Sequence, residues 1–220
     1  MTESESIFED LCHRLGYSFE RIAEGSEKRP DYRLHTPAGD LICEIKQFEP
    51  NAEEKAAMRA RREKGEVRAI DKTPGSRVRN AISSALPQLK ALTKGTLPGV
   101  VIVYDTMICE HGGAYNIRVA MYGFDAIVIG VPRDPKVWPF VKDRKSSGNR
   151  RMTEEHSTSI SAVAALRYRH TGPPELDVYH NRFAAVPLSI RALTGEGVRH
   201  YRLREKAPGQ FDDWEQFGSA

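Results

Sequence analysis

Ile7, Phe8, Leu11 and Leu15 recur at helical spacing, Ser4 or Ser6 can cap the segment and Gly16 can stop it, which predicts a short helix over 7–15. A first strand is expected over 17–23. Pro37 fixes φ and Gly39 admits positive φ, while Thr36 and Asp40 can bond locally to the backbone, so 36–40 reads as a turn closing a hairpin. Leu41-Ile42-Cys43 with Ile45 then gives a strand covered on both faces. Val78, Ile82, Ala85, Leu86, Leu89 and Leu92 return to helical spacing up to the 95–99 stop, and Pro87 within that run should kink or split the helix near Leu86. Val100 to Tyr104 is an unbroken apolar run of strand length. In the second half, 116–121, 126–131, 159–167 and 176–179 read as strands that extend the sheet or form another, with a turn at Pro173-Pro174 between the last two. The expected fold class is α/β.

Length and composition set the outer bounds. The chain has 220 residues, 40% of them hydrophobic, enough for one sizeable core or a core with an appended subdomain, and one elaborated domain over 1–220 is expected. Cys12, Cys43 and Cys109 form no close pair, so neither a zinc site nor a disulfide framework is indicated. The first residues lack the basic and apolar regions of a secretory signal, and no apolar run approaches membrane-spanning length, so no membrane partner and a cytoplasmic location are expected. No phosphate-cradling Walker loop occurs, which argues against nucleotide-driven motor activity.

Net charge is only +3, so bulk charge does not mark a nucleic-acid binder, but its distribution is uneven. A basic stretch after the hairpin includes Arg59, Arg61, Arg62, Arg77 and Arg79; a second includes Lys142, Arg144, Lys145, Arg150 and Arg151. Either could follow a phosphate backbone. Glu53, Glu54, Glu63 and Glu66 are interleaved with the first stretch, as on a solvated helix laced with ion pairs, and Ser146-Ser147-Gly148 gives the second a loop-like character. Trp214 and Phe217 are expected to pin the tail onto the body, and His180-Asn181 reads as a hydrogen-bonded turn ending a strand.

The chemistry concentrates on the hairpin. Side chains alternate along a strand, so Glu44 and Lys46 share a face opposite that of Cys43 and Ile45. With a turn centred near residue 38, Asp31 falls opposite residue 45, and one residue of stagger or a bulge would bring its carboxylate beside Glu44. Charged groups inside a covered strand lose hydration and need an offset. Two carboxylates with a backbone carbonyl suit Mg²⁺ or Mn²⁺, and a nearby ammonium can orient an attacking water and offset charge on phosphoryl oxygens.

Pro30-Asp31 followed by Glu44-Ile45-Lys46 resembles the motif of the PD-(D/E)XK nuclease superfamily over roughly residues 4–105. The element order of helix, three strands, helix and strand is similar to that family's restriction-endonuclease-like core, here with extra C-terminal strands extending the sheet. The resemblance implies a metal-dependent nuclease, with an endonuclease favoured over an exonuclease, hydrolysing phosphodiester bonds with DNA as the favoured substrate and leaving a 5′-phosphate. It implies Asp31, Glu44 and Lys46 as the catalytic residues, with Asp31, Glu44 and the Ile45 carbonyl as metal ligands. Glu9 and Gln88 stand as auxiliary residues, since some relatives use a glutamate on the first helix or a polar residue on the second. Many relatives cut two strands as homodimers, which makes a homodimer the expectation by analogy. The rival reading is a catalytically inactive nuclease-like domain that binds nucleic acid or a protein partner.

Overall fold

The computed structural model describes residues 1–23, 28–67, 73–107, 111–134, 136–147, 150–169, 171–207 and 210–218. Cys109 and Gly148, which figured in the sequence reading, lie outside them. The protein is a mixed α/β structure built on one eight-stranded sheet. The first helix, α1 (Glu3–Leu15), starts earlier than the apolar spacing indicated. Thr2 rather than a serine is its cap: the Thr2 hydroxyl accepts from the Glu5 N–H while the Glu5 carboxylate accepts from the Thr2 N–H. Gly16 ends it in the left-handed conformation.

The chain then forms β1 (Ser18–Arg21), β2 (Tyr32–Thr36) and β3 (Gly39–Phe48), three consecutive antiparallel strands. Two helices follow, α2 (Ala52–Lys64) and α3 (Ser76–Thr93), before β4 (Gly99–Asp105) enters the sheet parallel to β3. The helix α3 runs unbroken through Pro87, so no split occurs at Leu86.

The second half departs further from expectation. Residues 116–121 are not a strand but lie within a helix, α4 (Ala114–Tyr122). Ile117, Val119 and Met121 fall at every second position and imitate a period of two, yet Ala120 between them is buried as well, which an alternating strand does not require. A hairpin of β5 (Phe124–Gly130) and β6 (Phe140–Ser147) forms its own two-stranded sheet, so Ser146 and Ser147 are strand residues rather than loop. The main sheet continues with β7 (Ala162–Arg167) parallel to β4, then β8 (Glu175–His180) antiparallel to β7. It ends with β9 (Val198–Ala207) parallel to β8 and β10 (Gln210–Phe217) antiparallel to β9. The outer strands differ in kind: β1 has four residues, and β10 shifts register twice, between Gln210 and Phe211 and between Phe211 and Trp214.

Alternation across the sheet divides the core into two layers. Cys43, Ile45, Ile102, Ala164 and Val178 pack with Phe8 and Leu11 of α1 on one face. On the other face Ile42, Val101, Val103 and Val163 meet Val78, Ile82, Ala85 and Leu89 of α3 and Ile117 of α4. The backbone before β7 can approach the start of β4 closely because a glycine stands there. A Cβ on Gly99 would lie 2.6 Å from the Ser159 carbonyl oxygen and 3.6 Å from Leu89 Cβ. Trp214 closes the far end, its Nε1 donating to the Ala114 carbonyl at 2.9 Å while its ring lies against Tyr122 and Tyr179. No helix among the described residues is long and apolar enough to cross a membrane.

Candidate active site

The hairpin sets the site through its register. Thr36 pairs with Gly39 and Tyr32 with Cys43, so the turn is centred between residues 37 and 38. Continuing that register by one residue places Asp31 opposite Glu44, and directly opposed residues of an antiparallel pair point to the same face. The stagger or bulge expected from a turn centred at 38 is therefore unnecessary. Gly39 makes the tight reversal possible at φ 112°, where a side chain is disfavoured.

The end of β2 at Tyr32 creates the second feature. The Ile42 N–H donates to the Pro98 carbonyl, on the β4 side, so residues 42, 44 and 46 direct their backbone groups toward β4. Cys43 and Ile45 direct theirs toward β2, and at Ile45 that strand has ended. The Asp31 carboxylate takes its place, with Oδ2 accepting from the Ile45 N–H at 2.6 Å. The Ile45 carbonyl lies on this same edge, beside the two acids.

Glu44 is 2% exposed, and Lys46 Nζ donates to its Oε1 at 2.5 Å. The other oxygen, Oε2, is buried and has no hydrogen-bond partner among the described residues. Burial pushes the Glu44 carboxyl above its ordinary range; Lys46 opposes the shift and the Asp31 charge adds to it. Asp31 is raised as well, chiefly by burial, against the Ile45 N–H and the Lys46 charge that favour ionisation. Glu5 of α1 raises it further. Two partly desolvated carboxylates thus face each other across one ammonium, and a buried carboxylate oxygen is left without a donor. That donor set fits a hard divalent cation, which satisfies such an oxygen and lowers both carboxyl pKa values. Among the described residues no group of three or more His, Cys, Asp and Glu side chains is arranged to hold a metal, so the candidate ligand set is two carboxylates and the Ile45 carbonyl.

The auxiliary residues separate. Gln88 is buried on α3, near enough to Glu44 to favour its charged form, while its Nε2 donates to the Ser84 carbonyl. Glu9 is engaged elsewhere: its Oε1 accepts from Arg21 Nε at 2.6 Å and from the Tyr32 hydroxyl at 2.7 Å. The α1 acid whose charge reaches Asp31 is Glu5, and the sequence concealed it because the capping box already accounts for a glutamate there.

The basic residues also divide. Arg59, Arg61 and Arg62 are exposed on α2, and Lys142 is exposed on β6. The side chains of Arg144 and Lys145 lie outside the described residues. Arg77 is not a free surface cation: it donates to Glu54 Oε2 at 2.5 Å and to the Glu49 carbonyl at 2.6 Å. Glu54 is buried and its Oε1 also bonds His111 Nε2, so Arg77 compensates an interior charge. Arg79 is buried, which removes it from any surface that tracks a nucleic-acid backbone. His180 and Asn181 are structural: Asn181 Nδ2 donates to the Ile160 carbonyl and His180 bonds His200. Comparison with protein-family models, curated proteins and solved structures gives no match to this chain.

Proposed function

We propose that the protein is a metal-dependent nuclease of the PD-(D/E)XK type, with a restriction-endonuclease-like core formed by α1, β1–β3, α3 and β4. The observation that carries this reading is the hairpin site, where Asp31 and Glu44 oppose each other, Lys46 contacts one Glu44 oxygen and the other is buried without a partner. Element order supports it, with α2 as an insertion before α3. Asp31, Glu44 and the Ile45 carbonyl would hold Mg²⁺ or Mn²⁺, which when bound supplies Lewis-acid polarisation of the scissile phosphate.

The chain's own residues do the rest. The Ile45 N–H fixes the Asp31 carboxylate, and the β4 pairing fixes the strand that carries Glu44 and Lys46. The Lys46 side chain is 29% exposed, and its ammonium can turn from Glu44 toward substrate, orienting the water and offsetting charge that grows on the phosphoryl oxygens. Hydrolysis joins the water oxygen to phosphorus and breaks the bond to the 3′ oxygen, which takes a proton; a 5′-phosphate and a 3′-hydroxyl result. DNA is the favoured substrate.

One observation favours the rival reading of a binding domain without catalysis: the Lys46–Glu44 contact is already a closed ion pair. The test is cleavage of supercoiled plasmid and of single-stranded DNA with Mg²⁺, Mn²⁺ or EDTA. Metal-dependent nicking is expected for the wild type and should fall at least about a hundredfold in Asp31→Ala and Lys46→Met, the scale of losing a group that stabilises transition-state charge. Metal-independent nucleic-acid binding with no cleavage, unchanged in Asp31→Asn, would select the rival.

A further inference from the structure

A cleft of about 450 Å³ opens on the flank of α3, between that helix and residues 150–159. Lys90 stands on the helix wall, Arg150 and Arg151 on the other. Glu155 is the only acid lining it, and among the described residues none of these four side chains makes an ion pair. Like charges gathered around a concavity repel one another and raise the local potential for an anion.

Behind Arg151 lies Arg79, one turn before Ser83 of the lining on the same helix stripe. It is 7% exposed and meets no carboxylate among the described residues, and burial together with the Arg151 charge pulls its pKa down. A desolvated guanidinium within reach of a second cationic charge, and unpaired by any carboxylate among the described residues, is a costly arrangement for the protein alone.

The wall is fixed in place. The Arg151 and Met152 N–H groups donate to the Ala120 and Met121 carbonyls, and Met152 and Ile160 are fully buried. Asn181 Nδ2 donates to the Ser157 and Ile160 carbonyls at 3.3 and 2.7 Å. Ser157 sits at φ 59°, a left-handed conformation that a residue with a side chain adopts only under constraint from its surroundings. The run 156–159 adds an imidazole and three hydroxyls to the lining. The volume matches small-molecule sites, about 300–1,000 Å³, rather than a bare oxyanion, and Leu86 supplies an apolar wall.

We propose that this cleft recognises a phosphate-bearing ligand of nucleotide size, its phosphate held among Lys90, Arg150 and Arg151 and its remainder lying against Leu86. The cleft is distinct from the hairpin site. At 100° per residue, Gln88 points to the flank of α3 nearest Glu44, whereas Ser83, Leu86 and Lys90 point to the opposite flank. The ligand is either a free nucleotide or the 5′-terminal nucleotide of a nucleic acid.

The test is calorimetric titration in EDTA at low salt, where no cleavage competes, with adenosine 5′-monophosphate, adenosine, and one oligonucleotide in 5′-phosphorylated and 5′-hydroxyl forms. Each phosphate form should bind about tenfold or more tightly than its phosphate-free counterpart, and Lys90→Ala and Arg151→Ala should each remove about tenfold. Melting curves establish that each variant is folded. A phosphorylated oligonucleotide tighter than the mononucleotide assigns the site to nucleic-acid ends; equal affinity assigns it to free nucleotides. No preference for the phosphate, or a preference unchanged in folded Lys90→Ala and Arg151→Ala, overturns the proposal.

Discussion

At the scale of single residues, Asp31 and Glu44 set function against stability. Both carboxyls have pKa values above those of the unfolded chain, because burial, reinforced at Glu44 by the Asp31 charge and at Asp31 by the Glu5 charge, outweighs Lys46. The folded state therefore holds its protons more tightly than the unfolded state. Their unfavourable contribution is absent below the unfolded pKa and grows as pH rises through the folded one, so without metal they cost stability at neutral pH. Asp31→Asn keeps an oxygen to accept from the Ile45 N–H and removes the repulsion. In EDTA at pH 7 it should raise stability by roughly 0.5–2 kcal/mol, read from thermal melts, while abolishing metal-dependent cleavage. Mg²⁺ should stabilise the wild type and not the variant. Alternation alone makes the shared face of Glu44 and Lys46 legible in the sequence. The opposition of Asp31 depends on half a residue in the turn centre, which Pro37, Ala38 and Gly39 leave undetermined.

At the scale of elements, the start of β4 and the segment leading into β7 meet by close backbone approach at Gly99. A methyl group there would lie 2.6 Å from the Ser159 carbonyl, which cannot retreat easily because residues 157–160 are tied to Asn181. Gly99→Ala should cost about 1–3 kcal/mol in chemical denaturation, the usual range for overpacking. Elements with strong periodicity were legible: α1, the hairpin, α3, β4 and β8 follow from their apolar positions. The α4 helix was not, because six residues with apolar groups at 117, 119 and 121 satisfy a strand as well as a helix, and only packing against α3 decides. Nor was β9, since Arg199, Arg202 and Arg204 dilute its apolar signal; Arg199 is instead bound to Asp177 and Glu175 across the β8 pairing.

At the scale of the whole molecule, the two halves should respond differently to acid. His200 Nε2 donates to the Leu193 carbonyl, which leaves its Nδ1 to accept from His180 Nε2, so the pair is held neutral. Burial, with His200 adding to it, lowers the His180 pKa from 6.5 to about 4. A depressed histidine contributes stability above its unfolded pKa that is lost as pH falls toward the folded one. The protein should accordingly lose stability from pH 6.5 to about 4, opposite in sign to the hairpin acids, and His180→Gln should flatten that slope in melts taken across the range. The sheet as a whole has two ends, and both are poor templates for further strands. At one end β1 offers four residues with Glu20 and Arg21 turned to solvent; at the other, two register shifts break the run of backbone donors and acceptors along β10. Growth of the sheet by adding another copy of the chain is therefore disfavoured at either margin. Light scattering at rising concentration should register no fibrillar or open-ended species, and a discrete dimer, if one forms, would have to be built from some surface other than the sheet's own edges.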